Sequence, residues 1–184
     1  MFTSLHPSVF PLDPGGLRGG SAGERGDDDE KGDCMKKMLL LPGLLLFAGA
    51  AGCSGSRPTG LGVHGGRLAV CPNSPNCVSS QADPADKRHL ISPIPYEGGR
   101  EDAYNRLLRV LSGMKGARIT ESSGDYIRAE FTSAVFRFVD DVEFYFPKRP
   151  QIEVRSASRL GYWDFGVNRK RIEKVRRLFG SEEK

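Results

Sequence analysis

The sequence has few of the residues and motifs that mark familiar chemistries. It holds three histidines and one tryptophan, and it shows no Ser-His-Asp or Cys-His set that would pair a nucleophile with a base. Zinc-finger spacing and the aromatic pattern of RNA-recognition strands are both missing, so nothing supports a nucleic-acid partner. The one long apolar run, residues 38–52, is shorter than the roughly 20 residues of a transmembrane helix. We therefore expect no nucleic-acid partner, no cofactor and no bound metal.

The first 53 residues indicate targeting rather than a folded domain. Residues 1–34 are rich in Gly, Pro, Ser and Asp and contain the acidic run at 27–30. They are predicted to be disordered, or to be an upstream extension before a true start at Met35. Lys36 and Lys37 then precede the apolar run, which ends in small residues before Cys53. This order of basic, apolar and small residues predicts a secretory signal over 35–53.

The end of the signal resembles the lipobox of bacterial lipoproteins. It reads Ala50, Ala51, Gly52 and Cys53, with Ala at the position where Leu is usual. The resemblance implies that Cys53 is acylated, with palmitate among the fatty acids, and becomes the mature N-terminus. Ser54, a residue other than Asp after the cysteine, resembles outer-membrane sorting. We therefore expect a lipid-anchored protein of the bacterial cell envelope that faces the periplasm, in the outer membrane rather than the inner one.

The chain after Cys53 is basic and has two remaining cysteines. It contains 22 Lys and Arg residues against 16 Asp and Glu residues, a net charge of about +6. In an exported protein this favours an anionic small molecule, a lipid headgroup or a cell-wall polymer as partner. Cys71 and Cys77 predict a disulfide that closes a small loop. Metal ligation is the alternative, although the nearest histidines, His64 and His89, are distant in sequence.

Periodicity predicts a single α+β domain over residues 70–180. Gly-rich residues 54–69 are expected to be a flexible tether, and 70–95 are irregular. Asn168 is a suitable N-cap for the last helix. The expected architecture is a two-layer domain with a four-stranded antiparallel sheet between N- and C-terminal helices. The predicted elements are a helix over 101–114, strands over 117–121, 126–132 and 139–146, a strand from 151 and a helix from 168.

Residues 151–178 combine the strongest strand with the most polar residues. Ile152 and Val154 share one strand face with Ser156 and Ser158, whereas Arg155 and Arg159 lie on the other face. The helix that follows carries Arg169, Lys170 and Arg171 in its first turn, where the helix dipole disfavours cations by about 0.3–1 kcal/mol each. An anion should offset this charge. The candidates are an external ligand and three carboxylates, those of Asp140, Asp141 and Asp164. Because Asp140 ends an apolar alternation and would be costly to bury unpaired, we expect Asp140 or Asp141 to contact at least one of the arginines at 155, 159, 169 and 171.

Three segments resemble a known family. CPNSPNCVSS, FRFVDDVEFYF and VRSASRLGYWDFGVNRKRIEKVR are similar to the family catalogued as domain of unknown function 1499. The resemblance covers about residues 70–179. It implies no biochemical activity, so it defines the domain and leaves its function open.

Three functions remain open for the polar residues. The first is a non-catalytic module that binds an anionic ligand or partner, since arginine suits bidentate recognition of carboxylate or phosphate. The second is a hydrolase-like or metal-dependent enzyme that uses Asp140, Asp141 or Asp164, although neighbouring strand residues point to opposite faces. The third is a buried ion network that only stabilises the fold. The candidate site residues are Asp140, Asp141, Arg155, Ser156, Ser158, Arg159, Asp164, Asn168, Arg169 and Arg171.

Overall fold

A computed structural model describes residues 55–182 of the chain. The predicted extension, signal and acylated Cys53 therefore lie outside the described residues. Within them the protein is an α+β domain with two helices and six strands. The strands are β1 (Cys77–Ser79), β2 (Ile94–Pro95), β3 (Ala117–Ser123), β4 (Tyr126–Thr132), β5 (Val139–Tyr145) and β6 (Gln151–Ser158), and the helices are α1 (Arg100–Ser112) and α2 (Val167–Ser181).

The sheet is antiparallel throughout, in the order β1-β6-β5-β4-β3. Strands β3 to β6 form the predicted four-stranded meander. The prediction of four strands in total is wrong, because β1 pairs with the end of β6 and β2 with its beginning. These strands have three and two residues, too few to produce a hydrophobic alternation in a segment rich in Pro and Asn. The predicted disulfide between Cys71 and Cys77 is confirmed, and it lies at the start of β1.

The two faces of the sheet are both covered, but by different parts of the chain. One face, which we call the helix face, packs against α1 and α2 and carries the apolar core. Its fully buried side chains include Val142, Phe144, Ile152 and Val154 from the strands and Leu107 from α1. Helices α1 and α2 pack on this face because their apolar residues recur at helical spacing.

The opposite face, which we call the charged face, carries ionisable side chains that are nevertheless buried. They are Glu130, Asp141, Glu143, Glu153, Arg155 and Arg159. Residues 55–69, predicted as a flexible tether, instead contact this face. Arg57 binds Glu130 at 2.8 Å, and the Gly62 amide donates to the Glu143 carboxylate at 2.7 Å. Leu68 is also buried.

The even-numbered positions from Phe136 to Phe146 are mostly aromatic in the sequence, but the connection between β4 and β5 interrupts this pattern. Strand β5 begins at Val139, so residues 133–138 form a loop rather than part of one continuous strand. Arg137 has a positive φ of 59°, and the Phe136 side chain is exposed. Among residues 55–182, no helix has the length and apolar character needed to cross a membrane.

Candidate functional site

Arg159 forms the centre of an ion network on the charged face. Its guanidinium donates to both Asp141 oxygens at 2.8 Å and to Glu130 at 2.6 Å. The hydrogen bond to Asp141 is the main reason that the pKa of Arg159 is raised above its ordinary value. Burial alone would raise the pKa of Glu130, but hydrogen bonds from Arg57, Arg159 and Arg118 outweigh it and lower that pKa to about 2. These charges therefore neutralise one another inside the protein.

Arg155 extends the network toward the middle of the sheet. Its guanidinium lies 3.1 Å from the fully buried carboxylate of Glu143. Glu143 also accepts hydrogen bonds from the Tyr126 hydroxyl at 2.8 Å and from the Gly62 amide. Burial, with the Glu143 charge as a second cause, raises the pKa of Tyr126 above its ordinary value. Arg155 has no surface left for an external anion, because its side chain is only 8% exposed.

A second polar cluster, the Asn168 cluster, lies on the helix face where β5, β6 and α2 meet. Arg171 donates hydrogen bonds to Asp140, to Asn168 Oδ1 at 2.7 Å and to Ser156 Oγ at 3.1 Å. The predicted contact between the adjacent aspartates and the arginines is thus present. Asp140 and Asp141, however, meet different arginines on opposite faces of β5, as strand geometry requires.

Asn168 is not the N-cap that the sequence suggested. Helix α2 begins at Val167, and Gly166, with a φ of 73°, is the residue before it. The Asp164 carboxylate accepts the amides of Gly166 and Asn168 at 2.9 and 2.8 Å, so it provides acceptors at the start of the helix, where amides lack partners within the helix. The Asn168 side chain is fully buried and donates to the Asn76 carbonyl and to Ser158 Oγ, both at 2.9 Å. It therefore holds α2 against β6 and the loop before β1.

The Asn168 cluster does not have the geometry of a nucleophile with its base. Ser156 Oγ donates to Asn168 Oδ1 at 2.5 Å, and a side-chain amide oxygen is not a general base at neutral pH. The three aspartates accept hydrogen bonds from different groups: Asp140 from Arg171, Asp141 from Arg159 on the opposite face of β5, and Asp164 from Gly166 and Asn168. Within residues 55–182, no three His, Cys, Asp or Glu side chains are grouped so that they could hold a metal ion.

Arg169 is the predicted site arginine that the structure leaves without a carboxylate. Among the described residues, no acidic oxygen lies within 4 Å of it, and it donates only to the Arg88 carbonyl at 2.9 Å. Arg169 and Arg88 line an open pocket of about 430 Å³ with Trp163 and Phe165. We call it the Arg88–Arg169 pocket; its remaining lining residues are Pro75, Val78, Asp164 and Gly166.

The family model described as "Protein of unknown function (DUF1499)" matches residues 67–179. The chain belongs to the DUF1499 family. No curated protein and no solved structure matches it. The DUF1499 region contains the ion network, the Asn168 cluster and every residue of the Arg88–Arg169 pocket. Arg57 and Gly62, which contact the charged face, precede it.

Sequence reasoning missed the part of this pocket that comes from outside the 151–178 run. Arg88 lies in a loop without periodicity, and only the fold brings it beside Arg169. Its position is fixed by its neighbour His89, which is buried with Nδ1 2.6 Å from Asp86 and Nε2 3.1 Å from the Ser74 carbonyl oxygen. Trp163 and Phe165 lie in the turn between Gly161 and Gly166, and both are exposed. The only sequence feature that pointed to this wall of the pocket was the pair of aromatic residues between two glycines.

A larger concavity of about 590 Å³ lies beside β2 and the side of α2. Its two charged residues, Glu173 and Arg176, are 3.1 Å apart. Arg176 also donates to the carbonyl oxygens of Ser92 and Pro93, both at 2.6 Å. Because its polar groups are paired with one another or with the backbone, this cleft is a weaker candidate than the Arg88–Arg169 pocket.

Proposed function

We propose that the protein is a lipid-anchored domain of the bacterial envelope that binds an anionic group in the Arg88–Arg169 pocket and does not catalyse a reaction. Acylation of Cys53 would hold it at the periplasmic side of the membrane, with Ser54 favouring the outer membrane. The remaining chain would present the pocket to a ligand there. The observation that carries the proposal is the contrast between Arg169, which has no carboxylate partner among the described residues, and the paired Arg155, Arg159 and Arg171.

Ion pairing decides which arginines are available to a ligand. A buried arginine that already binds a carboxylate can accept an external anion only by giving up that pair, which costs about 3–5 kcal/mol when one charge is left uncompensated. Arg88 is 65% exposed, and its nearest acid, Asp86, is at 3.9 Å, which is the geometry of a weak surface pair. Arg88 and Arg169 can therefore turn toward a ligand at little cost.

The remaining walls suit a small anion with an attached apolar or planar part. Two guanidinium groups can bind one phosphate or carboxylate group in a bidentate manner. The exposed rings of Trp163 and Phe165 supply apolar contact beside them. Asp164 also lines the pocket, but its oxygens already accept hydrogen bonds from the first turn of α2.

The binding test is calorimetric titration of the Cys53→Ser chain with glycerol 3-phosphate. We expect binding that Arg169→Ala weakens by about tenfold or more, because a charge-assisted bidentate contact is lost. Arg177→Ala removes the same charge from an exposed position two to three turns further along α2, and it should leave the affinity unchanged. Equal affinity in Arg169→Ala and the parent chain, or no binding by the parent, would contradict the proposal.

The anchoring part has a separate test. Cys53→Ser should move the protein from the membrane fraction to the soluble fraction, and intact mass of the parent should include the acyl chains. A parent protein that carries no lipid by mass spectrometry would remove the anchor from the proposal without affecting the pocket.

A further inference from the structure

Exposed apolar side chains gather at one end of the sheet. Antiparallel pairing places the end of β4 beside the start of β5, and the start of β5 beside the end of β6. The loop 133–138 and the loop 159–166 therefore emerge together. Of the eight large apolar side chains exposed in residues 55–182, five lie in these loops and a sixth follows the second loop directly. They are Val135, Phe136, Tyr162, Trp163, Phe165 and Val167. We call this region the apolar end.

The rings at this end are held outward by the backbone. Phe165 is 80% exposed and has a φ of 54°, a left-handed conformation that is rare for a bulky side chain. Gly161 and Gly166 on either side also have positive φ. Tyr162 and Trp163 are 68% and 61% exposed. Residues in sparsely populated backbone conformations cluster at sites that bind a ligand or partner.

The described chain begins at the same end. A methyl group placed on Gly55 would lie 3.0 Å from Leu160 Cγ and 3.1 Å from Arg159 Cβ, so Gly55 packs beside the residues that follow β6. Cys53 is two residues before Gly55, and two residues of extended chain span about 7 Å. Acyl chains on Cys53 would therefore enter the bilayer next to the apolar end.

The charge at this end matches an anionic bilayer. Arg88, Arg137, Arg169 and Lys170 lie in or beside its loops, whereas Asp164 accepts the amides of α2 and Asp86 contacts His89. Aromatic rings at the level of the headgroups, with cations beside them, are the arrangement that proteins use at membrane interfaces.

We propose that the apolar end docks on an anionic phospholipid bilayer, with the rings of Trp163, Phe165 and Phe136 at the interface and a lipid phosphate in the Arg88–Arg169 pocket. This inference rests on the proposed function for the pocket and for the anchor, and it names the ligand of the pocket. The domain then lies directly on the membrane instead of at the end of a tether.

Trp163 is the only tryptophan of the chain, so its fluorescence reports on this end alone. The experiment adds unilamellar vesicles of phosphatidylcholine, with or without phosphatidylglycerol, to the Cys53→Ser chain, which has no acyl anchor. We expect a blue-shifted emission and protection from iodide quenching with the phosphatidylglycerol vesicles. Phe165→Asn keeps a residue that tolerates the left-handed backbone, and it should lower the partition coefficient by about tenfold, as should Phe136→Ser. Leu178→Ser, an exposed apolar residue near the end of α2, should leave it unchanged.

The outcomes separate this inference from the proposed function. An unchanged Trp163 spectrum with both kinds of vesicle, while glycerol 3-phosphate still binds through Arg169, would overturn the membrane contact and leave the pocket standing. Equal partition onto vesicles with and without phosphatidylglycerol would contradict the proposal that an anionic headgroup is bound. Phosphatidylglycerol-dependent partition that is lost in Phe165→Asn and in Arg169→Ala, and kept in Leu178→Ser and in Arg177→Ala, would support the proposal. Circular dichroism of each variant shows that the fold is intact.

Discussion

The two arginine-rich regions of this domain differ in what their charges contact. On the charged face, Arg155 and Arg159 are buried and bind Glu143, Asp141 and Glu130 within 3.1 Å. In the Arg88–Arg169 pocket the guanidinium groups are close to solvent. Among residues 55–182, the one acidic oxygen within 4 Å of either group belongs to Asp86, 3.9 Å from Arg88, and Asp164 lines the pocket without pairing with either arginine. Arginine content alone thus does not indicate a binding site. The charged face pairs its cations with carboxylates of the fold, whereas the proposed binding pocket has cations that no close carboxylate pair holds.

The buried ion pairs of the charged face determine how the domain responds to substitution. Desolvating an ion pair is expensive, and a buried pair is often no more stabilising than apolar residues of the same volume. Removing one partner is different, because it leaves the other charge buried and unpaired. The charged face should therefore be sensitive to single substitutions, whereas the pocket should tolerate them.

Glu143→Gln should give the largest loss of stability. Arg155 has one carboxylate partner among the described residues, Glu143, and both side chains are buried. An amide in that position leaves the arginine charge uncompensated, which costs about 3–5 kcal/mol. Urea unfolding of the Cys53→Ser chain measures it. Arg169→Ala is the matched control, with an expected change of about 0.5 kcal/mol or less; similar losses in the two variants would erase the distinction between the regions.

Acid should weaken the charged face through Glu130. Its pKa in the folded protein is lowered to about 2 from an ordinary value of 4.5, because the hydrogen bonds of three arginines outweigh its burial. The stability that this depression contributes is complete above pH of about 4.5 and is lost as the pH falls through about 2. The loss is on the order of 3 kcal/mol. In Glu130→Gln the free energy of unfolding at neutral pH should be lower and its decline over this range shallower; an identical decline would assign the acid sensitivity to other carboxylates.

Most of the fold was readable from periodicity, and the differences have definite physical causes. The alternation in 126–132 and 151–158 and the helical stripe in 101–114 give β4, β6 and α1 because apolar residues recur at the period of each element. The charged face was not predicted to be buried, since alternating charges on a strand normally indicate a solvated face. Its cover comes from residues 55–69, whose glycines carry no periodic signal, and contacts such as Gly62 to Glu143 are made by the backbone.

The candidate site was predictable only in part, because which arginines are paired depends on contacts between segments that are distant in sequence. A contact between Asp140 or Asp141 and one of the four arginines followed from the cost of an unpaired carboxylate at the end of an apolar face, and the structure pairs Asp140 with Arg171. Which arginines would remain unpaired did not follow, because it depends on the register that brings Glu143 opposite Arg155. Arg88 was out of reach as well, since its loop is positioned by the Asp86–His89 contact and by the pairing of β1 with β6.

Asp164→Asn should affect stability less than either substitution on the charged face, and it tests a residue that serves both the fold and the pocket. Asp164 stabilises the fold by accepting the amides of Gly166 and Asn168, and it also lines the Arg88–Arg169 pocket. An asparagine has one acceptor oxygen where the aspartate uses both, and it lacks the negative charge that favours a helix N-terminus, so we expect a loss of about 1–2 kcal/mol in urea unfolding. The same substitution removes a negative charge from the lining of the pocket, so the affinity for glycerol 3-phosphate should rise by about threefold or more. Stability and affinity thus change in opposite directions in one variant. If both fell together, the pocket would depend on the charge of Asp164 for its shape, and Arg88 and Arg169 would belong with the arginines that serve the fold.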